Sequence, residues 1–288
     1  MARRIRQYLL SGAAALLAAC ATGPATPPAI HTPAGPPRDA VTAAAIEKAV
    51  AGEHRSAENR ARDASRHPVD TLLFFGIKPD MTVVEVWPGA GGWYTEILAP
   101  LLAERGKLYT AMMPPAPGNE YVTASLAQFD AKLAARPDLY GKVTVTRLGA
   151  GDFNIAPPGS ADLVVTFRNV HNWMDLGIAK EAFAEMYRAL KPGGVLGVVE
   201  HRGAADKPQD PRADSGYVTE RFAIDLVTSA GFVLEARSEI NANPRDTKDY
   251  EQGVWALPPT YRAGSRDRAK YEAIGESDRM TLRFRKPR

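Results

Sequence analysis

The sequence contains one cysteine, Cys20, among its 288 residues. A single cysteine excludes an intramolecular disulfide and every zinc or iron–sulfur site that needs several thiolates. The five histidines are scattered along the chain without an H-x-x-x-H or HExxH spacing, so we predict no metal-ligating set. Hydrophobic residues make up only 45% of the chain, which excludes a polytopic membrane protein but is too much for a wholly disordered one.

The first twenty residues carry the pattern of an export signal. Arg3, Arg4 and Arg6 precede the apolar run 8–19, which is shorter than the about 20 residues that span a bilayer. The run ends in Leu-Ala-Ala-Cys20, which resembles the lipobox of bacterial lipoproteins, whose cysteine is lipidated and becomes the mature N-terminus. Because Ala21 replaces the aspartate of inner-membrane retention, the resemblance implies a periplasm-facing lipoprotein of the outer membrane. An ordinary secretory peptide with an incidental cysteine is the alternative.

The excess of positive charge belongs to this signal. The formal net charge is +3, and removal of residues 1–19 deletes three arginines and no acid, so the mature chain has equal numbers of basic and acidic residues. We therefore expect no nucleic-acid partner. Residues 20–40 are rich in proline and have no apolar period, which predicts an extended tether ahead of a domain at 41–288.

From residue 41 onward, helical and strand patterns alternate. The stretch from residue 41 to Pro68 is predicted to be a charged helix. We favour a charged face exposed to solvent over the alternative, in which arginines turn toward a cleft. Apolar β-branched runs between amphipathic stripes predict seven strands. These strands span residues 82–87, 107–112, 143–148, 161–167, 195–200, 232–240 and 280–285. We predict a Rossmann-like α/β fold with helices on both faces of a mostly parallel sheet, an antiparallel last strand and a ligand at the carboxyl ends of the strands.

A glycine-rich turn follows the first predicted strand and reads Glu85-Val-Trp-Pro-Gly-Ala-Gly-Gly92. Such a turn lets a ligand approach backbone N–H groups at the start of a helix. The turn lacks the Gly-Lys-Ser/Thr of a phosphate-binding P-loop and the third glycine of a dinucleotide fingerprint. Strand two also ends in Met112-Met113 without an acid, which makes a nicotinamide-dependent oxidoreductase the weakest hypothesis.

With Asp152 after strand three and Leu-Lys-Pro-Gly-Gly at 190–194, this turn resembles the motifs of class I S-adenosylmethionine (SAM)-dependent methyltransferases. The spacing Glu-x-x-Pro-Gly-x-Gly and the tail Gly-Glu-Ser-Asp-Arg-Met at 275–280 resemble more narrowly a group of predicted bacterial methyltransferases. The resemblance implies SAM as the cofactor and methyl transfer to an unidentified small or envelope-associated acceptor. The cofactor-binding residues it implies are Glu85, Pro88, Gly89, Gly91, Gly92, Asp152, Phe153, Arg168 and Asn169. Trp87 replaces the family's first glycine, and no acid follows strand two to hold the ribose.

Two histidines follow predicted strands at the ligand edge. Methyl transfer is a displacement at a sulfonium methyl, so the enzyme aligns the reactants and removes a proton where the acceptor needs it. His171 is the first candidate base and His201 the second, with Glu200 placed to orient either one. Trp173 is predicted either to contact the substrate or sulfonium with its ring, or to pack in the core.

The connection 241–275 lies between the last two predicted strands and has little apolar periodicity. A connection of this length is typical of a lid or binding loop. We expect it to pack over the strand ends and shape the acceptor pocket, with Arg245 and Tyr250 contacting the substrate. The alternative function, favoured by Trp87 and the missing acid, is a lipid-anchored, non-catalytic small-molecule-binding module on a methyltransferase-like fold.

Overall fold

The computed structural model describes residues 39–288. The expected signal peptide, the lipidation site Cys20 and nearly all of the expected tether lie outside the described residues. Between residues 39 and 288, no helix is both long and apolar enough to cross a bilayer.

The described part of the chain alternates strands and helices. Its strands are β1 (Thr82–Val86), β2 (Lys107–Met112), β3 (Thr144–Gly149), β4 (Asp152–Asn154), β5 (Ala161–Phe167), β6 (Leu190–His201), β7 (Val233–Ser238) and β8 (Arg279–Arg285). Its helices are α1 (Ala40–Val50), α2 (Ala57–Ala61), α3 (Asp63–Arg66), α4 (Pro68–Phe75), α5 (Thr95–Leu102), α6 (Glu120–Ala135), α7 (Pro137–Tyr140), α8 (Val170–Asp175), α9 (Ala179–Ala189), α10 (Glu220–Ser229) and α11 (Arg268–Ile274), with a 3-10 turn at Gly253–Ala256.

All eight described strands form one mixed sheet in the order β4-β3-β2-β1-β5-β6-β8-β7. The central strands pair in parallel, while β8 runs antiparallel to both of its neighbours. The expected antiparallel last strand is therefore confirmed. The strand order reverses between β1 and β5, and in sheets of this kind ligands bind beyond the carboxyl ends of the strands at such a point.

The count of seven strands was wrong by one, because β4 adds a short strand at the edge of the sheet. It forms a hairpin with β3, in which Gly149 lies opposite Asp152 and Leu148 opposite Phe153. A strand of three residues between a glycine turn and a proline has no periodicity that a sequence can show.

Helices cover both faces of the sheet because neighbouring strand residues point to opposite sides. Val84 and Val86 belong to a core cluster with α8, α9 and α10. Val83 belongs to the second cluster, with α1, α4 and α5. The two clusters fix the strand ends rigidly and so position the loops that follow them.

The N-terminal segment is three short helices and not one charged helix. The first ends before Gly52, and the second begins where the Ser56 hydroxyl accepts a hydrogen bond from the Asn59 N–H. Arg55 between them is only 1% exposed and donates to the Val50 carbonyl and the Asp63 carboxylate. The preference for a solvated face was therefore wrong at Arg55, which is turned inward.

Candidate active site

A cavity of about 270 Å³ lies at the carboxyl ends of β1, β5 and β6. Its wall is built from the glycine-rich turn, the residues after β5 and β6, the connection between β7 and β8, and Arg66 of α3. A second cavity of about 260 Å³ lies over the end of β2. The two share Trp87, Gly89, Tyr121, Asn169 and Asn172 as wall residues, so they are neighbouring parts of one cleft.

Glu85 ties the start of the glycine-rich turn to the helix that follows it. Its buried carboxyl group accepts a 2.7 Å hydrogen bond from the hydroxyl of Thr95, the first residue of α5. Burial raises the pKa of Glu85 to about 8, although the bond from Thr95 acts in the opposite direction. The carboxyl is therefore mostly protonated at neutral pH.

Gly91 differs from every other described glycine. Each of the others either has a φ in the left-handed region or would bring an added Cβ within 4 Å of another residue. At Gly91, φ is ordinary and a Cβ would meet nothing within 4 Å. The backbone N–H groups of Gly89, Ala90 and Gly91 have no backbone acceptor within residues 39–288. The turn therefore presents open backbone to a ligand.

Trp87 takes the position of the family's first glycine with a φ of 48°, in the left-handed region that favours glycine. Its indole Nε1 donates a 2.8 Å hydrogen bond to the Leu148 carbonyl of β3. The ring also meets Trp173 edge-on, with centroids 5.8 Å apart. These two contacts hold the indole as a wall of both cavities.

His171 and Glu200 are joined at the end of β6. His171 Nδ1 lies 3.0 Å from Glu200 Oε1, and the same carboxylate accepts the backbone N–H groups of Val170, His171 and His201. Because a carboxylate oxygen only accepts, Nδ1 carries a proton, and in the neutral ring Nε2 is then the nitrogen with the lone pair. This arrangement fixes the ring and its tautomer, which suits His171 to act as a general base.

His201 is the second histidine of the cavity wall. Its Nδ1 lies 2.6 Å from the Ser277 hydroxyl, and its ring centroid is 5.3 Å from that of His171. Burial lowers the pKa of His201 well below its ordinary value, and the positive charge of Arg168 lowers it further. His201 is therefore neutral at neutral pH.

Glu276 gathers arginines from distant parts of the chain. It accepts from Arg62 Nε at 2.7 Å, Arg66 Nε at 3.3 Å and Arg279 Nη1 at 2.9 Å. Burial alone would raise the pKa of Glu276, but these arginines and Arg168 outweigh it and lower the pKa to about 2. The glutamate is therefore ionised at every physiological pH.

Three potential metal ligands come together here, a grouping that no sequence spacing predicted. The candidate donor atoms of His171, Glu200 and His201 lie within 4.8 Å of one another. Each oxygen of Glu200, however, already accepts two hydrogen bonds, and the nearby arginines repel a cation. The constellation therefore suits proton transfer better than metal binding.

Many of the expected site residues lie together in the cleft. Those on the wall of the first cavity are Glu85, Pro88, Gly89, Arg168, Asn169, His171 and His201. Glu200 lies behind His171. Gly91 and Gly92 belong to the same turn as Gly89 but line neither cavity. Asn169 donates from its side-chain amide to the carbonyl of Val86 at 2.9 Å, which fixes the loop after β5 to the end of β1.

Three expected residues lie in the core or on the sheet edge instead. Trp173 is fully buried between Trp87 and Phe183, so the core alternative is the correct one for this residue. The hairpin at β4 leaves Asp152 exposed and turns Phe153 against the core, and neither lines the cleft. Asp152 therefore lies outside both cavities, and its implied contact with adenine stays a prediction.

The connection after β7 does pack over the strand ends, but through other residues than expected. Its cavity-lining residues are Val254, Trp255, Pro258, Pro259 and Thr260. The ring of Trp255 lies 6.1 Å from that of His171, centroid to centroid. Arg245 lines a separate cavity beside Asn243, and Tyr250 packs edge-on against Tyr271, so neither residue lines the cleft.

Sequence reasoning missed Arg66, Trp255, Glu276 and Ser277 as site residues. The tail at 275–280 was the available signal, because it stood out by resemblance alone and no structural role explained it. In the fold this tail supplies the carboxylate of Glu276, which pairs with the arginines, and the hydroxyl of Ser277, which contacts His201.

Comparisons with known proteins agree with this geometry. Residues 91–198 match the family described as methyltransferase domain, and no curated protein matches the sequence. The fold is shared with a SAM-dependent methyltransferase from Aquifex aeolicus, at 18% identity and a TM-score of 0.51 over 85% of this chain and 98% of that one. The [4+2]-cyclase SpnF shares it at 18% identity and a TM-score of 0.53, over 82% of this chain and 86% of the other.

A third structure with this fold contains a bound cofactor. It is phosphoethanolamine N-methyltransferase 2 of Haemonchus contortus in complex with S-adenosyl-L-methionine, at 15% identity and a TM-score of 0.50, over 84% of this chain and 56% of that one. At these identities the likeness establishes a Rossmann-like methyltransferase fold. The domain match adds support for a SAM-dependent methyltransferase with SAM as its cofactor.

Proposed function

We propose that the protein is a SAM-dependent methyltransferase that acts on a small acceptor, with His171 as its general base. The open side of Gly91 is the observation that carries this proposal, because a ligand that approaches the backbone explains a glycine that the fold itself does not require. The domain match over residues 91–198 supports the same reading. The alternative of a non-catalytic binding module has no support from the comparisons.

Two groups of residues in the cleft suit two parts of SAM, its adenine ring and its carboxylate. Met112, Met113 and Tyr121 give the second cavity apolar and aromatic walls, which suit an adenine ring, and Asn119 adds a polar group. The free N–H groups of the glycine turn suit a carboxylate. SAM, when bound, supplies an electrophilic methyl group. The first cavity, with its two histidines, is then the place for the acceptor.

The chain's own groups account for proton removal. His171 Nε2 accepts the proton of the acceptor's attacking group, and Glu200 stabilises the resulting imidazolium through Nδ1–H. The four hydrogen bonds to Glu200 keep that carboxylate in place throughout. Trp255, Pro258 and Pro259 give this cavity an apolar part of its wall beside His171.

Methyl transfer can be tested without knowing the acceptor. The full chain is incubated with SAM labelled in its methyl group and with a cell-envelope extract, and label in small molecules is counted. Wild type is expected to transfer label, and His171→Asn to be slower by about a hundredfold or more, the usual contribution of a general base. Equal rates for the two proteins would contradict the role of His171, and no transfer by wild type would contradict the function.

We also propose that the domain is exported and anchored to the outer membrane through lipid on Cys20. Support comes from the basic and apolar pattern of residues 1–19 and from the single cysteine at its end. Because SAM is made in the cytoplasm, an exported enzyme needs a supply of it in the envelope. Incorporation of labelled palmitate that disappears in Cys20→Ser is the expected result. Equal labelling of both proteins, or no labelling of wild type, would contradict it.

A further inference from the structure

Arg168 lines the first cavity with an unpaired guanidinium. It follows β5 with a φ of 63°, a conformation that residues other than glycine rarely adopt, and its N–H donates to the Val199 carbonyl at 2.7 Å. Burial lowers the pKa of Arg168 to about 10, and the charge of Glu276 acts in the opposite direction. No hydrogen bond or ion pair holds this guanidinium within the described residues 39–288. The backbone is thus held firmly while the charged group stays free.

The surroundings of Arg168 contain more positive than negative charge. Buried nitrogens of Arg62, Arg66 and Arg279 also lack a hydrogen-bond partner in the described part of the chain, and these three share Glu276 as their carboxylate. The other nearby acid, Glu200, is already occupied by His171 and three backbone N–H groups. Four guanidinium groups therefore lie near one carboxylate that pairs with only three of them, an imbalance that is costly to bury unless an anion compensates it.

We propose that the first cavity binds an oxyanion, a carboxylate or a phosphate, that belongs to the methyl acceptor and is held by Arg168. A guanidinium presents its donors in a planar fork that matches such groups. Arg66 lines the same cavity and has a buried Nη2 without a hydrogen-bond partner among residues 39–288. Arg66 is held in position because its Cζ lies 4.7 Å from the centroid of the Trp93 ring.

Two observations place this anion with the acceptor, an assignment that rests on the proposed function. Arg168, His171 and His201 all line the first cavity, so Arg168 faces the same space as the candidate base. The glycine turn offers its own free N–H groups for the carboxylate of the methyl donor. An acceptor anchored at Arg168 would therefore lie beside the base that activates it.

Anion binding is tested by calorimetry on the full chain with phenyl phosphate and benzoate, and with phenol and benzamide as neutral counterparts. At least one anion is expected to bind wild type and its neutral counterpart not to bind. Arg168→Gln should weaken binding about tenfold or more, as for a lost charged hydrogen bond. The matched control is Arg221→Gln on α10, whose side chain is 86% exposed, with an expected change below about twofold.

The fold should tolerate Arg168→Gln because the guanidinium makes no bond to lose, and Arg168→Met provides a second variant of similar length. Equal anion binding by wild type and both Arg168 variants would overturn the proposal. Absence of anion binding by wild type at millimolar concentration would overturn it as well.

The source of the anion is decided by two further ligands, S-adenosylhomocysteine and 5′-methylthioadenosine, of which only the first has a carboxylate. Arg168→Gln is expected to keep its affinity for S-adenosylhomocysteine within about twofold of wild type. A loss of about tenfold for this ligand alone would assign the anion to the donor and overturn the acceptor proposal. If wild type does not bind S-adenosylhomocysteine, the proposed function fails, while the anion probes still report on Arg168.

Discussion

His171 Nδ1 and Glu200 Oε1 lie 3.0 Å apart where β6 ends and α8 begins. The same carboxylate receives the first two N–H groups of α8 and the N–H of His201. One side chain therefore fixes the ring of the candidate base, the start of the helix that carries it, and the end of its own strand, β6.

Glu200→Gln is expected to release the tautomer of His171. An amide can present N–H or C=O to the ring, so the preference for a proton on Nδ1 weakens, and nitrogen-15 NMR of the imidazole should show both tautomers in the variant. Glu181→Gln on the exposed side of α9 is the control and should match wild type. An unchanged Nδ1–H tautomer in Glu200→Gln would contradict the role of the carboxylate.

Glu276→Gln is expected to lower the free energy of unfolding by about 3–5 kcal/mol, because it leaves buried arginines without their shared carboxylate. Urea unfolding at neutral pH measures this loss. The control Glu272→Gln on α11, with a side chain 52% exposed, should change stability by less than about 0.5 kcal/mol. Adding Arg168→Gln to Glu276→Gln should restore part of the loss, and a further loss would contradict the repulsion inferred among the arginines.

The same glutamate predicts acid sensitivity. The pKa of Glu276 falls from an ordinary value of 4.5 to about 2 in the fold, so its stabilising contribution is complete above pH 4.5 and is lost as the pH falls toward 2. The difference in unfolding free energy between wild type and Glu276→Gln should therefore shrink over this range. A difference that stays constant down to pH 2 would contradict the ionised pairing.

Glu85→Gln is expected to gain stability relative to wild type as the pH rises. The pKa of Glu85 is raised from 4.5 to about 8, so the folded chain retains a proton that the unfolded chain loses between these values. The unfolding free energy of wild type then falls by up to about 1.4 kcal/mol per pH unit between these two pKa values. The Glu85→Gln variant does not show this fall, because glutamine does not titrate. Urea unfolding of both proteins at pH 5 and pH 8 checks this. An identical pH dependence would contradict the buried, protonated carboxyl.

The βα alternation and the glycine turn were predictable because each leaves a local signal. Apolar β-branched runs mark buried strands, and the spacing of Glu85, Gly89 and Gly91 identifies the turn without knowledge of the fold. The short strand β4 left no such signal. The sequence around Trp173 also does not distinguish an indole that contacts a ligand from one that packs in the core.

The arginine cluster was not predictable because its members are distant in sequence. Arg66 and Glu276 are separated by 210 positions, and Ser277 and His201 by 76. Only the arrangement of β6 beside β8 brings the tail of the chain to the end of β6. No periodicity or spacing rule connects such pairs, so the charge balance of the cavity appears only in the folded chain.

The central claim is that the open side of Gly91 receives SAM. Calorimetric titration of S-adenosylhomocysteine into wild type and Gly91→Val tests it most directly, because an added Cβ at Gly91 would meet no atom beyond its chain neighbours within 4 Å. Thermal unfolding of both proteins checks that the fold accepts the valine. Wild type is expected to bind one equivalent with a dissociation constant between about 1 μM and 1 mM, and Gly91→Val to bind about tenfold more weakly or worse. No binding by wild type at millimolar ligand, or equal binding by both proteins, would contradict the claim.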